Sequence, residues 1–284
     1  MNWTGIAIDI GIVLYILTIL AIIYTIILEN RNPVRTLAWI LVLVLAPGIG
    51  LLFYIYFGMN YRKIKMFSMK GLGDFKWLQY MSEDQKQRIK KAELLKKEDM
   101  EAVKPLMTLL LNNSKALLSR NNTVEILNNG EATFSSIFKA IAKAKKYIHL
   151  EYYIIDKGEL GEKLKELLIA KAKEGVEVRV IYDDVGSWKL PKRYIKEMQA
   201  AGIQIYPFLP VRFPLFTNKV NYRNHRKIVV VDGDTGFIGG LNFADRYLHG
   251  LPGIGIWRDT HLKVKGEAVT SLQVVFLFDW YFVR

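Results

Sequence analysis

The chain contains no cysteine in its 284 residues. That excludes disulfides, thiolate metal sites and cysteine nucleophiles, and it fits a reducing compartment. Histidine occurs only 4 times, too few to suggest a metal cluster by count. Acidic residues are short, with 27 Asp+Glu against 40 Lys+Arg and a net charge of +13. Charge is missing altogether from two stretches, 19 residues over Ile10–Leu28 and 21 over Leu37–Phe57. Apolar residues are plentiful: 51% of the chain, with mean hydropathy +0.13, which excludes a disordered chain. A mass of 32.7 kDa suffices for one or two domains with a real core.

A bilayer core takes ~20 apolar residues of helix, and both uncharged stretches have that length. The link Glu29–Thr36 is short and polar and holds Pro33, so the pair reads as a transmembrane hairpin. A cleaved signal peptide is excluded. No Lys or Arg precedes the first stretch, the stretch is too long, and no small-x-small site follows it. The competing reading is a buried soluble hairpin. Pro47, Gly48 and Gly50 predict a kink in the second stretch, while Asp9 lies near enough to an end of the first to reach the interface. Residues 1–60 carry no net charge, so the +13 belongs to the remainder. Arg62, Lys63, Lys65, Lys70 and Lys76 follow the hairpin, against Arg31 and Arg35 in its link. This bias predicts a two-helix protein of the cell membrane with a cytoplasmic body. Such a body is drawn to anionic headgroups at ~1 kcal/mol per nearby cation. Charge alone fits nucleic acid or simple solubility equally well. The expected organisation is a transmembrane hairpin over 1–60, a basic helical linker over 61–118 and a catalytic domain over 119–284. Within the linker, Ser82–Lys104 reads as a solvated helix, with Ser82 and Gln85 forming a capping box.

From about residue 120 strands and helices alternate. Strands are expected at 123–127, 147–155, 176–182, 203–206, 227–231, 235–238 and 261–264. Helices are expected at 134–146, 160–174, 191–201 and from 268 onward. Gly175 and Gly202 stop two of the helices. The expected class is α/β, a sheet with helices on its faces and ligands at the carboxyl ends of strands. A long irregular piece, 207–223, precedes the fifth strand.

One constellation carries chemistry. Asn224-His225-Arg226-Lys227 opens a strand that ends at Asp232, and Gly239-Gly240-Leu241-Asn242 follows, giving H-x-K-x4-D-x6-G-G-x-N. His225 and Lys227 are two apart and project from one face. An imidazole beside an ammonium makes sense with an anion between them, the ammonium binding it and the imidazole acting as nucleophile or acid/base group. Gly239 and Gly240 permit close backbone approach, and Asn242 has an amide to donate. The pattern describes a phosphate site needing no metal and no cofactor. A surface His and Lys on an edge strand is common singly, but five residue types at set spacings are not.

This motif resembles the phospholipase D superfamily, and the wider likeness is to bacterial cardiolipin synthases. Arg31-Asn32-Pro33, Glu151–Ile155, Tyr182–Ser187, Arg223–Lys227 and Trp257–His261 carry it, from the hairpin to residue 284. The resemblance implies an α-β-α sandwich and a two-step exchange through a phosphohistidine, two phosphatidylglycerols giving cardiolipin and glycerol. It makes His225 the nucleophile, with Lys227, Asn242 and Gly240 at the phosphate. Asp232 completes the catalytic motif and is expected to shape the turn after the strand. Asp259 is the expected acceptor orienting the histidine. Glu151, on a strand face with Tyr147, His149 and Tyr153, is a candidate for lining the pocket. His149 reads as a satisfied structural histidine, and Asp183 and Asp184 as turn or capping devices rather than metal ligands. Phe213, Leu215 and Phe216 fit either acyl contacts or loop packing. His249 and His261 have no partner legible in the sequence.

The family uses two such motifs meeting at one site, and this sequence holds one, ending inside an apolar run from Ser271. The expectation is half of a longer enzyme, completed by a second half or by a homodimer partner, its partners being a membrane and an anionic phospholipid rather than nucleic acid. Two other classes stay open: a membrane-tethered, single-motif phosphodiesterase or nuclease acting as a homodimer, and a non-catalytic membrane module.

Overall fold

The computed structural model describes residues 3–28, 33–54, 72–90, 97–114, 116–211 and 223–284. Outside these lie Arg31 and Asn32, the cations Arg62, Lys63, Lys65 and Lys70, and Phe213, Leu215 and Phe216. The described residues form two compact units, the helices within 1–65 and the remainder of the chain.

In the first unit α1 runs Trp3–Leu28, α2 Pro33–Leu45 and α3 Pro47–Phe53. Ile26, Leu43 and Tyr54 make a small buried cluster, with Trp39 edge-on to Tyr54 at 5.5 Å. The second apolar stretch is therefore two helices. Ala46 leaves the helical conformation (φ −137°, ψ 67°), Pro47 opens α3, and Gly50 packs so closely that a Cβ there would lie 2.6 Å from the Val42 carbonyl oxygen. The 13 residues of α2 reach ~20 Å, short of a ~30 Å bilayer core. Among the described residues no helix is long and apolar enough to cross a membrane; in α1 the side chains are described without a gap only over 9–24.

In the second unit α4 (Leu72–Lys90) and α5 (Lys97–Ser114) come first. The expected capping box is overturned, because Ser82 lies inside α4 and its hydroxyl donates to the Leu111 carbonyl at 3.1 Å. Gln85 does not cap either, since its amide both donates to and accepts from the Leu118 backbone. These helices pack through Ile89, Met107 and Leu111, so the stretch is not simply a solvated face.

A seven-stranded sheet follows, in the order β1-β7-β6-β5-β2-β3-β4. The strands are β1 Thr123–Asn128, β2 Tyr147–Tyr152, β3 Glu177–Asp183, β4 Gln204–Phe208, β5 Lys227–Val231, β6 Thr235–Gly239 and β7 Thr260–Lys265. β2, β3 and β4 are parallel, and every other pairing is antiparallel. Helices α6 (Asn129–Ala142), α7 (Glu159–Lys173) and α8 (Lys192–Ala200) cover one face through Phe134, Ile137, Leu164, Leu168 and Met198. The short α9 (Arg246–His249) follows β6, and α10 (Ala268–Val283) covers the other face through Val269, Phe276 and Trp280. The result is an α-β-α sandwich. By these strand directions the carboxyl ends of β1, β2, β3, β4 and β6 and the amino ends of β5 and β7 share one edge.

Candidate active site

That edge gathers the motif. β5 is Lys-Ile-Val-Val-Val, buried throughout, with β-branched residues suited to a central strand. Lys227, Val229 and Val231 face the α6–α8 layer, while Ile228 and Val230 face α10. Lys227 is 2% exposed at the strand's first position, paired in register with Tyr152. Its Nζ lies 3.0 Å from His225 Nδ1, donates to the His225 carbonyl at 2.7 Å, and sits 5.4 Å from the Tyr153 ring centroid. His225 is exposed, its ring 4.5 Å from that of Tyr153. The two motif side chains thus meet on one side, over an aromatic shelf. Tyr153 lies beyond the end of β2, so the face expected from strand parity does not hold for it. Gly186 admits it, for a Cβ there would be 2.8 Å from its ring.

The electrostatics suit a neutral imidazole. Burial and then the Lys227 charge push the His225 ring below its ordinary range, against a weaker pull from Asp183. Burial brings the Lys227 ammonium down to about 8, with Asp259 holding it up. The exposed ring is thus biased toward its neutral form beside a cation.

The glycines of the motif are cast around Asp259, just before β7, and His261, within it. A Cβ on Gly240 would stand 2.3 Å from Asp259 Oδ1, and one on Gly239 2.4 Å from His261 Nδ1. Asp259 therefore sits against Gly240 and acts on Lys227 and His261. Among the described contacts no hydrogen bond joins it to His225, the partner expected for it. His261 is fully buried and, chiefly through burial, held down to about 4.

Other expected residues fall differently. Asp232 is not at the reacting end. It stands past the far end of β5 with φ 53°, and its carboxylate accepts from the Lys145, Lys146 and Tyr147 amides at 2.8, 2.7 and 3.0 Å. The expected place among the catalytic groups puts Asp232 with His225, whereas these three bonds put it at the turn between β5 and β6, away from that ring. Asn242 is buried, its oxygen accepting from the Ile154 amide at 3.1 Å and its nitrogen donating to the Tyr247 hydroxyl at 2.8 Å. Glu151 lines no opening. It is 1% exposed on the α10 face, receives the Asn224 amide and lies beside Asp279. Burial and then Asp279 raise its carboxyl well above the ordinary carboxylate range. His149 stacks between Tyr147 and Phe276 and contacts Gln273 at 2.6 Å, a structural histidine. His249 pairs with Glu159 at 3.0 Å.

Asp183 is the residue that sequence reasoning undervalued. It is buried at the end of β3, accepting from the Val185 and Gly186 amides at 3.1 and 2.9 Å. It also takes the Arg223 guanidinium at 3.2 Å and the Asn224 amide at 2.9 Å, fixing the backbone before His225. Its signal was position alone, at the carboxyl end of a strand beside β2.

Two concavities of the described surface, one around Lys143, Lys171 and Glu174 and one around Lys165, Arg193 and Glu197, do not include His225 or Lys227. Of the motif pair His225 is exposed and Lys227 lies buried beneath it.

A family model described as "Cardiolipin synthase, PLD-like domain" matches residues 137–269, and one described as "Phospholipase_D-nuclease N-terminal" matches 10–58. The cardiolipin synthase of Geobacillus sp. (strain WCH70) is 46% identical over 266 residues, covering 94% of this chain and 52% of that protein. Cardiolipin synthase 2 of Bacillus anthracis is 47% identical over 259 residues, covering 90% of this chain and 49% of that protein. Among solved structures, the phospholipase D family member Nuc from Salmonella typhimurium aligns with TM-score 0.44 at 19% identity, over 58% of this chain and 97% of that one. The chain spans about half the length of the curated relatives it matches. With its motif on one strand end and both family models in their places, the chain is similar over nearly its whole length to the cardiolipin synthases of the phospholipase D superfamily.

Proposed function

We propose that this chain is the membrane-anchored half of a phosphatidyltransferase that makes cardiolipin. The observation that carries the reading is the accessible His225 ring held against the Lys227 ammonium, 3.0 Å away. A phosphodiester oxygen replaces the imidazole as the partner of Lys227. The His225 nitrogen attacks phosphorus, a nitrogen–phosphorus bond forms, and the bond to one glycerol breaks. A second phosphatidylglycerol hydroxyl then attacks phosphorus, its proton passing back to the group that protonated the glycerol, and the nitrogen–phosphorus bond breaks, releasing cardiolipin and restoring the histidine. Asp259 keeps Lys227 charged, and Asp183 fixes the histidine's backbone.

The leaving glycerol needs a proton, which we assign to a second half-site, from the rest of a longer chain or a homodimer partner. Two features support this. His225 is exposed, and the apolar row that runs outward on the α10 face from the half-buried Leu262 ends in an exposed Ile126. Ile126, Leu262 and Ile238 stand in register across β1, β7 and β6, with Ile126 65% exposed.

The anchor is α1 with α2 and α3. The 26 residues of α1 would reach ~39 Å as one helix, and Leu14, Leu17, Leu20 and Ile27 point outward, unburied. The basic body then lies on the cytoplasmic side of the cell membrane.

The test is to incubate the full chain with headgroup- and phosphate-labelled phosphatidylglycerol in mixed micelles and quench in alkali. A phosphatidyl adduct on His225, stable to base and labile to acid, is expected, and H225A abolishes it. Without the second half-site, water supplies the leaving glycerol's proton, so the adduct is expected on this half alone, slowly and in a single turnover. No adduct with lipid, or nicking of DNA instead, overturns the assignment.

A further inference from the structure

The edge of the sheet that presents His225 also presents an apolar turn with no role in the phosphate site. It spans Gly250–Trp257, between α9 and β7. Ile254 and Ile256 are 68% and 73% exposed. The turn is built, not slack. Leu251 and Gly255 exchange backbone hydrogen bonds of 3.0 and 2.9 Å, and Gly250, Gly253 and Gly255 take φ of 78, 79 and 86°. A Cβ on Gly250 would lie 2.2 Å from the Gly255 carbonyl oxygen, so the closure requires glycine.

The base of the turn is tied to the site. Trp257 packs edge-on against Tyr247 at 5.8 Å, and the Tyr247 hydroxyl accepts from Asn242. Arg258 is exposed and Asp259 follows it. On the same edge the loop after β3 presents Trp188, 54% exposed, beside the exposed Lys189. Single exposed apolar residues mean nothing. Exposed isoleucines on a closed turn, a tryptophan at its base and another along the same edge, each with a neighbouring cation, are what an anionic bilayer surface binds.

We propose that the Gly250–Trp257 turn, with Trp188, docks the second unit on an anionic lipid surface. Ile254 and Ile256 enter the boundary between headgroups and acyl chains. The tryptophans rest at headgroup level and Arg258 and Lys189 face the phosphates. A lipid phosphodiester then meets Lys227 at its own depth. The inference rests on the lipid reading of the His225 site.

The absence of cysteine makes the test clean, since Ile254→Cys gives one thiol on an exposed side chain. The full chain, labelled there with an environment-sensitive fluorophore, is reconstituted into vesicles containing phosphatidylglycerol. Asp234→Cys, in the exposed turn at the opposite edge of the sheet, serves as the control. The expected result is quenching of the 254 label by brominated acyl chains, with roughly threefold less quenching by aqueous iodide than at 234. Equal iodide quenching at both sites overturns the proposal. So does shielding of 254 from both quenchers, which means that protein covers the turn. The readout is depth, so its failure leaves the His225 adduct untouched, and a missing adduct leaves the depth result standing.

Discussion

Replacing Asp232 by Ala removes one acceptor that holds three backbone N–H groups, those of Lys145, Lys146 and Tyr147. Hydrogen bonds to a charged group are worth about 1.5–3 kcal/mol when buried. The Lys145 and Lys146 bonds are exposed and water substitutes there, so about 0.5 kcal/mol each is the fair figure, with about 1 for Tyr147. Asp232 also sits at φ 53°, where alanine adds about 1 kcal/mol. D232A should therefore lose about 3 kcal/mol. Asparagine tolerates the left-handed backbone and keeps the oxygen that serves both Lys146 and Tyr147. D232N loses the Lys145 bond and the charge, about 1 kcal/mol.

The pH dependence has a definite sign. Burial pushes the Asp232 carboxyl up, but the three amides win and its affinity for a proton is lowered on folding. The stabilisation is complete above the ordinary aspartate range and is lost as pH falls through the lowered folded value. The gap between wild type and D232N closes over the same interval. Urea unfolding in detergent, followed by fluorescence of the 6 tryptophans, measures all three proteins. Asp232 is separated from Lys227 by roughly 16 Å of strand, so the His225 adduct per folded molecule should not change. An alanine variant with wild-type unfolding and no adduct would refute the structural role.

Two further predictions concern Lys227. With its ammonium brought down to about 8, the apparent KM for lipid should rise as pH passes 8, and K227R should abolish that alkaline limb because a guanidinium stays charged. K227M removes the charge that depresses His225, so the acid limb of adduct formation should move to higher pH. G240A drives a Cβ into Asp259, whose carboxylate must swing away from Lys227. The alkaline limb should then move below 8, with at most ~1–3 kcal/mol lost in thermal unfolding. An unmoved limb in G240A would show that Asp259 does not act on Lys227.

The sheet was legible because its strands are β-branched runs and two of its helices end at Gly175 and Gly202, both with positive φ. The pairing of His225 with Lys227 was legible from a spacing of two. What escaped the sequence depends on long-range packing. Ser82 and Gln85 spell a cap locally, yet their partners are Leu111 and Leu118, about thirty positions on. Glu151 carries the right chemistry for a pocket, but strand parity sends it to the α10 face, where Asp279 waits from the last helix. The helix expected from 134 begins at Asn129, because Gly130 nests against α9, where a Cβ would stand 2.1 Å from the Tyr247 carbonyl oxygen. No local pattern announces α9, a single turn.

The segment around His225 is clamped from three directions, and this explains why polar residues crowd a strand end. Asp183 holds the Asn224 amide from β3. Asn224 passes its own side-chain amide to Glu151 and Asp279, and Arg226 pairs with Asp279. On the opposite face Lys227 bonds the His225 carbonyl. The residues flanking His225 are thus spent on buried or half-buried partners, while its own ring touches only Lys227 and Tyr153 among the described contacts. A rigid main chain under a lightly held ring is what a covalent nucleophile requires. In the proposed exchange the ring would release Lys227 to a phosphate, turn toward phosphorus and carry the phosphatidyl group to a second hydroxyl, all without moving the strand that fixes where the phosphate binds.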